Sequence, residues 1–458
     1  MRARVLLLFL VALALVAASS TIAAAPAEVA GPPGKWTRIT DADRRNTDEV
    51  GLARTADGVL HVAWRTGSAA QDYTLMHTAI SSGGKVLGSH TVESGLDTLS
   101  GPDLIVEPSG GLRAFYHGNT GQTESTGIRT ASAGSDGSSW TPQASRASDS
   151  NQGGEVGAAL TSAGTPIFSW TISFHHYVHT GLSPTTPDVD LRADNKCCDY
   201  EPDLATDAAT GDTFVAWYSN RDGEHGTWVQ RVAPSLGEKI FVPGSAVDDK
   251  AIAPRNQTQI AARIGAPGVY VAYCSGYPEC KQARLWKIGA GKSMLAGRGG
   301  DVESVGISPG PGGRLWVFWQ DNDADVYKAT RSNPAATKFG AIVKVKPPKG
   351  TNSLWRVSGE GSRGNLDLLA HVTSGGSIAT WHTQVRPGLT LRCQGGKVIS
   401  CTVSDAGSAV KGAKVKIGGK TLTTNSKGKV SVNLPPGTFV AKATKSGYTA
   451  AKTRVKSK

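Results

Sequence analysis

Methionine is scarce in this chain, with 3 residues in 458, and aromatic residues make up only 7%. Against that stand 56 Gly and 23 Pro, with Ser, Thr and Val throughout. Such a composition excludes an architecture of long helices and points to short strands joined by tight turns. After the N-terminus no apolar run reaches about 18 residues, the length a spanning helix needs, so the mature chain is expected to carry no membrane-crossing helix. Acidic residues nearly vanish at the C-terminal end, where residues 391–458 hold 14 basic side chains and one acid, Asp405. The formal net charge of +12 therefore sits there, because the remainder has 35 basic and 36 acidic groups. Attraction to an anionic polymer or surface belongs to this last stretch and not to the main body. Two folding units are the natural reading of so uneven a charge distribution.

What is present at the N-terminus is an export signal. Arg2 and Arg4 precede an unbroken apolar run over residues 5–18, and small residues at Ala23 and Ala25 suit a signal peptidase, so residues 1–25 are read as a cleaved signal peptide. Six cysteines, an even number, agree with an oxidising destination. The mature protein is expected to be secreted or associated with the cell surface.

From about residue 49 to 383 one pattern recurs: an apolar strand, a Gly-rich turn, and an alternating strand ending in an aromatic residue. The aromatics are Trp64, Tyr116, Trp170, Trp217, Tyr273, Trp319 and Trp381. Further strands are expected in residues 75–78, 128–131, 227–231, 284–288 and 326–330. Four short strands per unit at this spacing describe propeller blades. The fold class is therefore all-β, a seven-bladed propeller over residues 36–385 followed by a small β-sandwich over 386–458, with six blades as the fallback. The last unit, read as LDLLAHVTSGGSIATW, lacks clear third and fourth strands, and residues 36–40 are expected to add an outer strand that closes the ring.

Antiparallel succession puts the loops entering each first strand and leaving each second strand on one face, the top. That face collects Glu49, Asp103, Glu155, Glu201, Asp203 and Glu303, with Arg65, His117, His175, His176, Arg221, Asp222, Asp321 and Asp323 leaving second strands. Paired carboxylates beside an arginine are the groups that glycoside hydrolysis uses. The candidate funnel residues are Arg65, Asp103, Glu155, Cys197, Cys198, Glu201, Asp203, Arg221, Asp222 and Glu303. Glu49 and Glu155 share one register of the repeat, and Asp103 and Asp203 another, which architecture explains as readily as chemistry. Arg221, Asp222, Glu224 and His225 fall in one top loop, and an Arg there can fork onto a carboxylate or sugar hydroxyls. Asp321, Asp323 and Asp325 have the alternate spacing of a calcium loop, but Val326 stands where the turn glycine belongs. The adjacent His175 and His176 should point to opposite faces and share no metal.

Cysteine spacing suggests a hairpin disulfide between Cys393 and Cys401 and a loop clip between Cys274 and Cys280. Cys197 and Cys198, adjacent in sequence, form either a vicinal disulfide or separate pairs with Cys274 and Cys280 across neighbouring blades. Without two C-x-x-C pairs, zinc is the weaker reading.

The repeat resembles the propellers of the sialidase (neuraminidase) superfamily. Ser135, Asp136, Gly137, Ser138, Ser139 and Trp140 resemble a shortened Asp-box, the turn signature that family carries between third and fourth strands. The resemblance implies a glycan site in the top funnel, of exo-α-sialidase type if hydrolytic. However, the family's Arg-Ile-Pro motif is missing, so no catalytic residue is carried over. Residues 403–448 resemble the carboxypeptidase-regulatory-like, transthyretin-like sandwich module, with an inward set of Val415, Ile417, Val430, Val432, Phe439 and Ala441. Its lysines would project outward as a cationic surface for glycans or anionic cell-surface polymers. Nucleic acid is not expected, since no aromatic strip interleaves the charges. A non-catalytic interaction platform is the alternative to a glycan-processing site.

Overall fold

The structure is a computed structural model, and it describes residues 28–30, 35–40, 50–67, 72–119, 127–144, 146–148, 154–172, 175–192, 198–245, 259–275 and 280–458. The expected signal peptide and Glu49 lie outside these residues. Seven antiparallel sheets follow one another along the chain. Blade 1 holds strands Gly51–Arg54, Leu60–Thr66, Tyr73–Ile80 and Val86–Leu96. Blade 2 holds Asp103–Val106, Leu112–Asn119, Gly127–Ala133 and Trp140–Pro142, with Thr98–Leu99 beside its second strand. Blade 3 is built from Val156–Leu160, Pro166–Ile172, His175–Thr180 and Val189–Asp190, and blade 4 from Asp199–Thr206, Thr213–Ser219, Gly226–Ala233 and Lys239–Phe241. Blade 5 comprises Gln259–Ala262, Val269–Ser275, Gln282–Lys287 and Met294–Arg298. In blade 6, Val302–Pro309, Leu315–Asp321, Val326–Arg331 and Ile342–Val345 are joined by Glu28–Ala30, parallel to the last strand. The first strands touch in succession around the ring, and the first strand of blade 7 returns to that of blade 1.

Blade 7 differs in detail from the sequence reading. Its strands are Ser353–Glu360, Leu366–Ser374 and Ser377–Val385, so Trp381 lies on the third strand and only the fourth is missing. The hairpin through Gly375 and Gly376 mimics the turn that joins first and second strands elsewhere, while the true first strand, SLWRVSGE, is too polar to stand out. Thr37–Arg38 pairs with the third strand and supplies the missing fourth, closing the ring as expected.

Hydrophobic periodicity explains the cohesion. Second-strand aromatics Trp64, Tyr116, Trp170, Trp217, Tyr273 and Trp319 are all buried, filling the wedges within and between blades. One register of the first strands is governed by close approach. A Cβ on Gly51 would lie 2.7 Å from the Asp103 Cα, and one on Gly157 would lie 2.3 Å from the Pro202 carbonyl oxygen. At this register blades 1, 3 and 6 present glycine, and blades 2, 4 and 5 present Asp103, Asp203 and Gln259.

Past Val385 the chain forms two further sheets. One contains Thr390–Gln394, Ile399–Asp405, Ser408–Ala409 and Lys429–Val432; the other runs in the order Lys420–Thr423, Lys414–Ile417, Gly437–Thr444, Ala451–Ser457. Between them lie Val415, Ile417, Val430, Val432 and Ala441, with Phe439 packed at the margin. This sandwich meets blade 6 through Asp405, whose carboxylate takes Arg331 at 2.6 Å and faces Arg314 at 3.6 Å. Arg331 also lies over the rings of Trp316 and Tyr448, 5.7 and 5.9 Å from their centroids. Arg314 follows the turn between first and second strands, and Arg331 ends a third strand, so the sandwich sits at the end of the propeller opposite the top.

Candidate functional site

All seven first strands line a central cavity of about 400 Å³. At its lower end Arg54 of blade 1 forms ion pairs with Glu360 and Asp367 of blade 7, and Asp367 also takes His382 Nε2 at 2.8 Å. These contacts seal the seam where the ring closes. At the upper end, Glu201 of blade 4 meets the guanidinium of Arg356 of blade 7 at 2.6 Å. Blades 4 and 7 stand on opposite sides of the channel, so this pair spans it. Both residues are only 5% exposed.

Local irregularity puts these side chains there. The inner strands of blades 4, 6 and 7 each carry a register shift, between Tyr200 and Asp203, Glu303 and Gly306, and Leu354 and Arg356. A bulge re-aims the side chains around it. Glu201 and Ser304 adopt φ of 49° and 46° within these bulges, a region unfavourable to residues with a Cβ and held only by surrounding contacts. The Glu201 amide donates to Glu155 Oε2 at 3.2 Å, and the Val357 amide donates to Ser304 Oγ at 3.0 Å. Glu155, Glu201 and Arg356 thereby form one cluster at the channel mouth.

Below it, Asp103 and Asp203 fasten neighbouring blades. Asp103 accepts the amides of Leu104 and Ala158, both at 2.7 Å; Asp203 accepts those of Leu204 and Ile260 at 2.8 and 3.0 Å. Gln259 continues the pattern, accepting the Ile307 amide at 3.2 Å. A carboxylate that receives two backbone amides serves as a fixed acceptor in the ring.

A second cluster occupies the seam of blades 3 and 4 near the top. Arg192 and Asp199 form a buried pair at 3.0 Å. Arg221 reaches Glu224 at 2.7 Å, and Glu224 in turn takes Lys239 at 2.8 Å. Burial, and after it the neighbouring Arg192, lower the Arg221 pKa below its ordinary value. Desolvation pushes the Asp199 carboxyl up to about 6 despite Arg192. Cys198 shares two hydrogen bonds with Asn220: its amide donates to Oδ1 at 2.9 Å, and its carbonyl accepts the Asn220 amide at 3.1 Å. Tyr200 stacks on Tyr218 with ring centroids 6.2 Å apart, and Asn220 Nδ2 donates to the Tyr200 hydroxyl at 3.4 Å.

The structure thus gathers Cys198, Glu201, Arg221 and Glu155 toward the same end of blades 3 and 4 and separates the other candidates. Arg65 donates to the Leu99 carbonyl at 2.7 Å and lies over Tyr73, at the seam of blades 1 and 2. Asp222 is exposed. Glu303 accepts from Gln320 at 3.5 Å on blade 6. Cys197 lies outside the described residues; Cys198 is disulfide-bonded. Cys274 pairs with Cys280 and Cys393 with Cys401, which removes the cross-blade alternatives. His175 pairs with Asp190 at 2.7 Å while His176, fully buried, meets Ser169 Oγ at 2.8 Å, so the adjacent imidazoles diverge. Asp321 is buried against Lys328 at 2.7 Å, whereas Asp323 and Asp325 are exposed, so the three carboxylates do not converge. Among the described residues no group of three or more His, Cys, Asp or Glu is placed to hold a metal ion.

Sequence reasoning missed Arg356, Arg192 and Asp199. Arg356 was hidden by the misplaced first strand of blade 7, and its signal is an arginine within an otherwise blade-like inner strand. The other two flank the cysteine pair and carry no repeat register.

No family model matches this chain, and no curated protein resembles it in sequence. Solved structures are distantly similar to it. An ulvan lyase among the polysaccharide lyases is 9% identical, covering 76% of this chain and 95% of that one at a TM-score of 0.47. An α-L-arabinanase of Penicillium chrysogenum complexed with arabinobiose is 12% identical, covering 84% and 100% at 0.38. A mutant Trypanosoma rangeli sialidase is 9% identical, covering 78% and 59% at 0.43. At this distance no residue role is taken from the likeness. Among the described residues no helix is long and apolar enough to cross a membrane.

Proposed function

We propose that this is an exported glycan-recognition protein, whose propeller takes saccharide at the top of blades 3 and 4 and whose basic C-terminal sandwich holds it against anionic surfaces. The observation that carries the reading is the placing of two charged clusters at the top of blades 3 and 4, Arg356 with Glu201 and Glu155 at the channel mouth and Arg192 and Arg221 with Asp199 and Glu224 at the seam of the two blades, beside the stacked Tyr200 and Tyr218. Guanidinium forks bind hydroxyl pairs and carboxylates with defined geometry, and aromatic faces suit pyranose rings. Export is supported by the N-terminal sequence and by disulfides, which persist in oxidising compartments. The turn at Ser135–Trp140 also supports the Asp-box resemblance: it joins third and fourth strands, Ser138 donates its amide and hydroxyl to Asp136, and Trp140 Nε1 donates to the Gly137 carbonyl.

A non-catalytic platform is the second reading. It is favoured by the engagement of the obvious acids: Asp103 and Asp203 hold backbone amides, and Glu201 holds Arg356. Turnover and binding of sialylated and uronic-acid oligosaccharides by the full chain decide between them, repeated with Arg221→Ala and Glu201→Ala. Binding weakened by Arg221→Ala, without turnover, upholds glycan recognition without catalysis; turnover lost in Glu201→Ala upholds an enzyme. Absence of both binding and turnover across the panel overturns the glycan reading.

A further inference from the structure

The sandwich distributes its charge unevenly between its two outer faces. On the sheet that contains Lys414–Ile417, Gly437–Thr444 and Ala451–Ser457, the outward positions hold Lys414, Lys416, Lys442, Lys452, Arg454 and Lys456. The opposite sheet shows only Arg392 and Lys429 among hydroxyl and amide side chains. Charge kept only for solubility has no reason to favour one face. Nor is the crowding offset locally, since none of the six cations on that face forms an ion pair among the described residues, and the module's one acid, Asp405, is buried against Arg331.

Register makes the arrangement a ladder. Lys416 stands directly opposite Lys442, and Lys442 directly opposite Lys452. Three cations therefore cross three neighbouring strands in a row, and like charges facing one another across a sheet disfavour folding. From Lys452 the line turns along its strand through Arg454 and Lys456. The other outward side chains are threonines and one exposed aliphatic, Val440. The face offers no aromatic ring to stack on a base and no apolar ridge to enter a bilayer.

We propose that this face binds a linear polyanionic polysaccharide with one carboxylate or sulfate on each sugar. Adjacent strands are about 4.8 Å apart, so a polymer carrying one charge per roughly 5 Å meets one lysine per sugar along the row of Lys416, Lys442 and Lys452. The assignment rests on the tethering half of the function proposed above and gives that tether its ligand class. Because the sandwich joins the propeller at the end opposite the top, polymer on this face leaves the channel mouth open to saccharide.

The test uses the full chain and polygalacturonate as the probe, titrated at several NaCl concentrations. Three phosphate-like contacts on a single-stranded polyanion predict a log–log salt slope of about −2. Lys442→Glu should weaken binding at least tenfold and flatten that slope, while Lys427→Glu, an identical charge change in a turn off this face, should alter it less than twofold. Equal loss in the two variants would mean that net charge alone attracts the polymer, and the proposal falls. It falls equally if phosphatidylglycerol vesicles or single-stranded DNA bind more tightly than polygalacturonate at matched charge. Oligosaccharide binding followed in parallel keeps the two readings apart. Its loss in Arg221→Ala with polymer binding intact upholds both, whereas its absence from the unaltered chain, with polymer still held by Lys442, overturns only the top-face reading.

Discussion

Propeller and sandwich use charge in opposite ways. The propeller, nearly neutral by sequence, turns its ionised groups inward: Glu201 to Arg356 across the channel, Arg54 to Glu360 and Asp367 at the closing seam, Arg192 to Asp199 between blades. The sandwich keeps its interior aliphatic and sets its lysines in water without acids beside them. Desolvated charge is tolerated only where a partner is held in register, which fixes strands and loops relative to one another. Solvated charge specifies little about the fold but creates a field that salt screens. Internal charge thus sets the shape of the channel mouth, while external charge sets what the surface attracts.

The two regimes meet at Asp405, and its removal should have the largest effect. Asp405→Ala leaves Arg331 and Arg314 uncompensated and is expected to cost about 3–5 kcal/mol, read as a lower urea midpoint. Asp405→Asn, which keeps a hydrogen-bond acceptor, should cost less. Across the channel, Glu201→Met or Arg356→Met alone should each cost about 3 kcal/mol, whereas the double variant should recover most of that loss, because two apolar side chains replace a desolvated pair. Additive losses would mean the pair is not coupled.

Acid should act on the propeller first. Burial lowers His61 and His117 to about 4 and His77 and His176 to about 3. Their folded values lie below the unfolded value of 6.5, so the unfolded chain binds more protons once pH drops under 6.5, and stability falls from there toward pH 4. By pH 5 one such histidine costs about 2 kcal/mol. Asp199 opposes this: its raised value means that protonation near pH 6 relieves a desolvation penalty. The expected outcome is a net loss of stability between pH 6.5 and 4.5, smaller in His117→Gln. A flat profile would contradict burial of neutral imidazoles. Lys442→Glu should have the smallest effect on stability, no more than about 0.5 kcal/mol, as is usual at exposed positions.

How far these features were legible in the sequence follows the same division. The blades announced themselves because burying an aromatic at the end of each second strand leaves a fixed-period mark, and the inward set of the sandwich alternates with its lysines. Closure through residues 36–40 was visible as a strand left over. Blade 7 was displaced because its inner strand, with Arg356 and Ser358, shows little apolar pattern, while its second and third strands, joined through Gly375 and Gly376, mimic the first hairpin of the other blades. Asp405 stood out as the one acid of its module, yet its docking depends on Arg314 and Arg331, brought near only by tertiary structure. Asp103 and Asp203 were matched by register, but their grip on neighbouring backbone amides could be read only from the ring itself.

The division between inward and outward charge is tested most directly by one paired measurement on Lys442→Glu: its urea midpoint and its affinity for polygalacturonate in the same buffer. The account predicts an unchanged or slightly raised midpoint together with at least tenfold weaker binding and a flatter salt slope. A lowered midpoint with undiminished binding would show that this lysine belongs to the fold and not to the surface's function, and would contradict it.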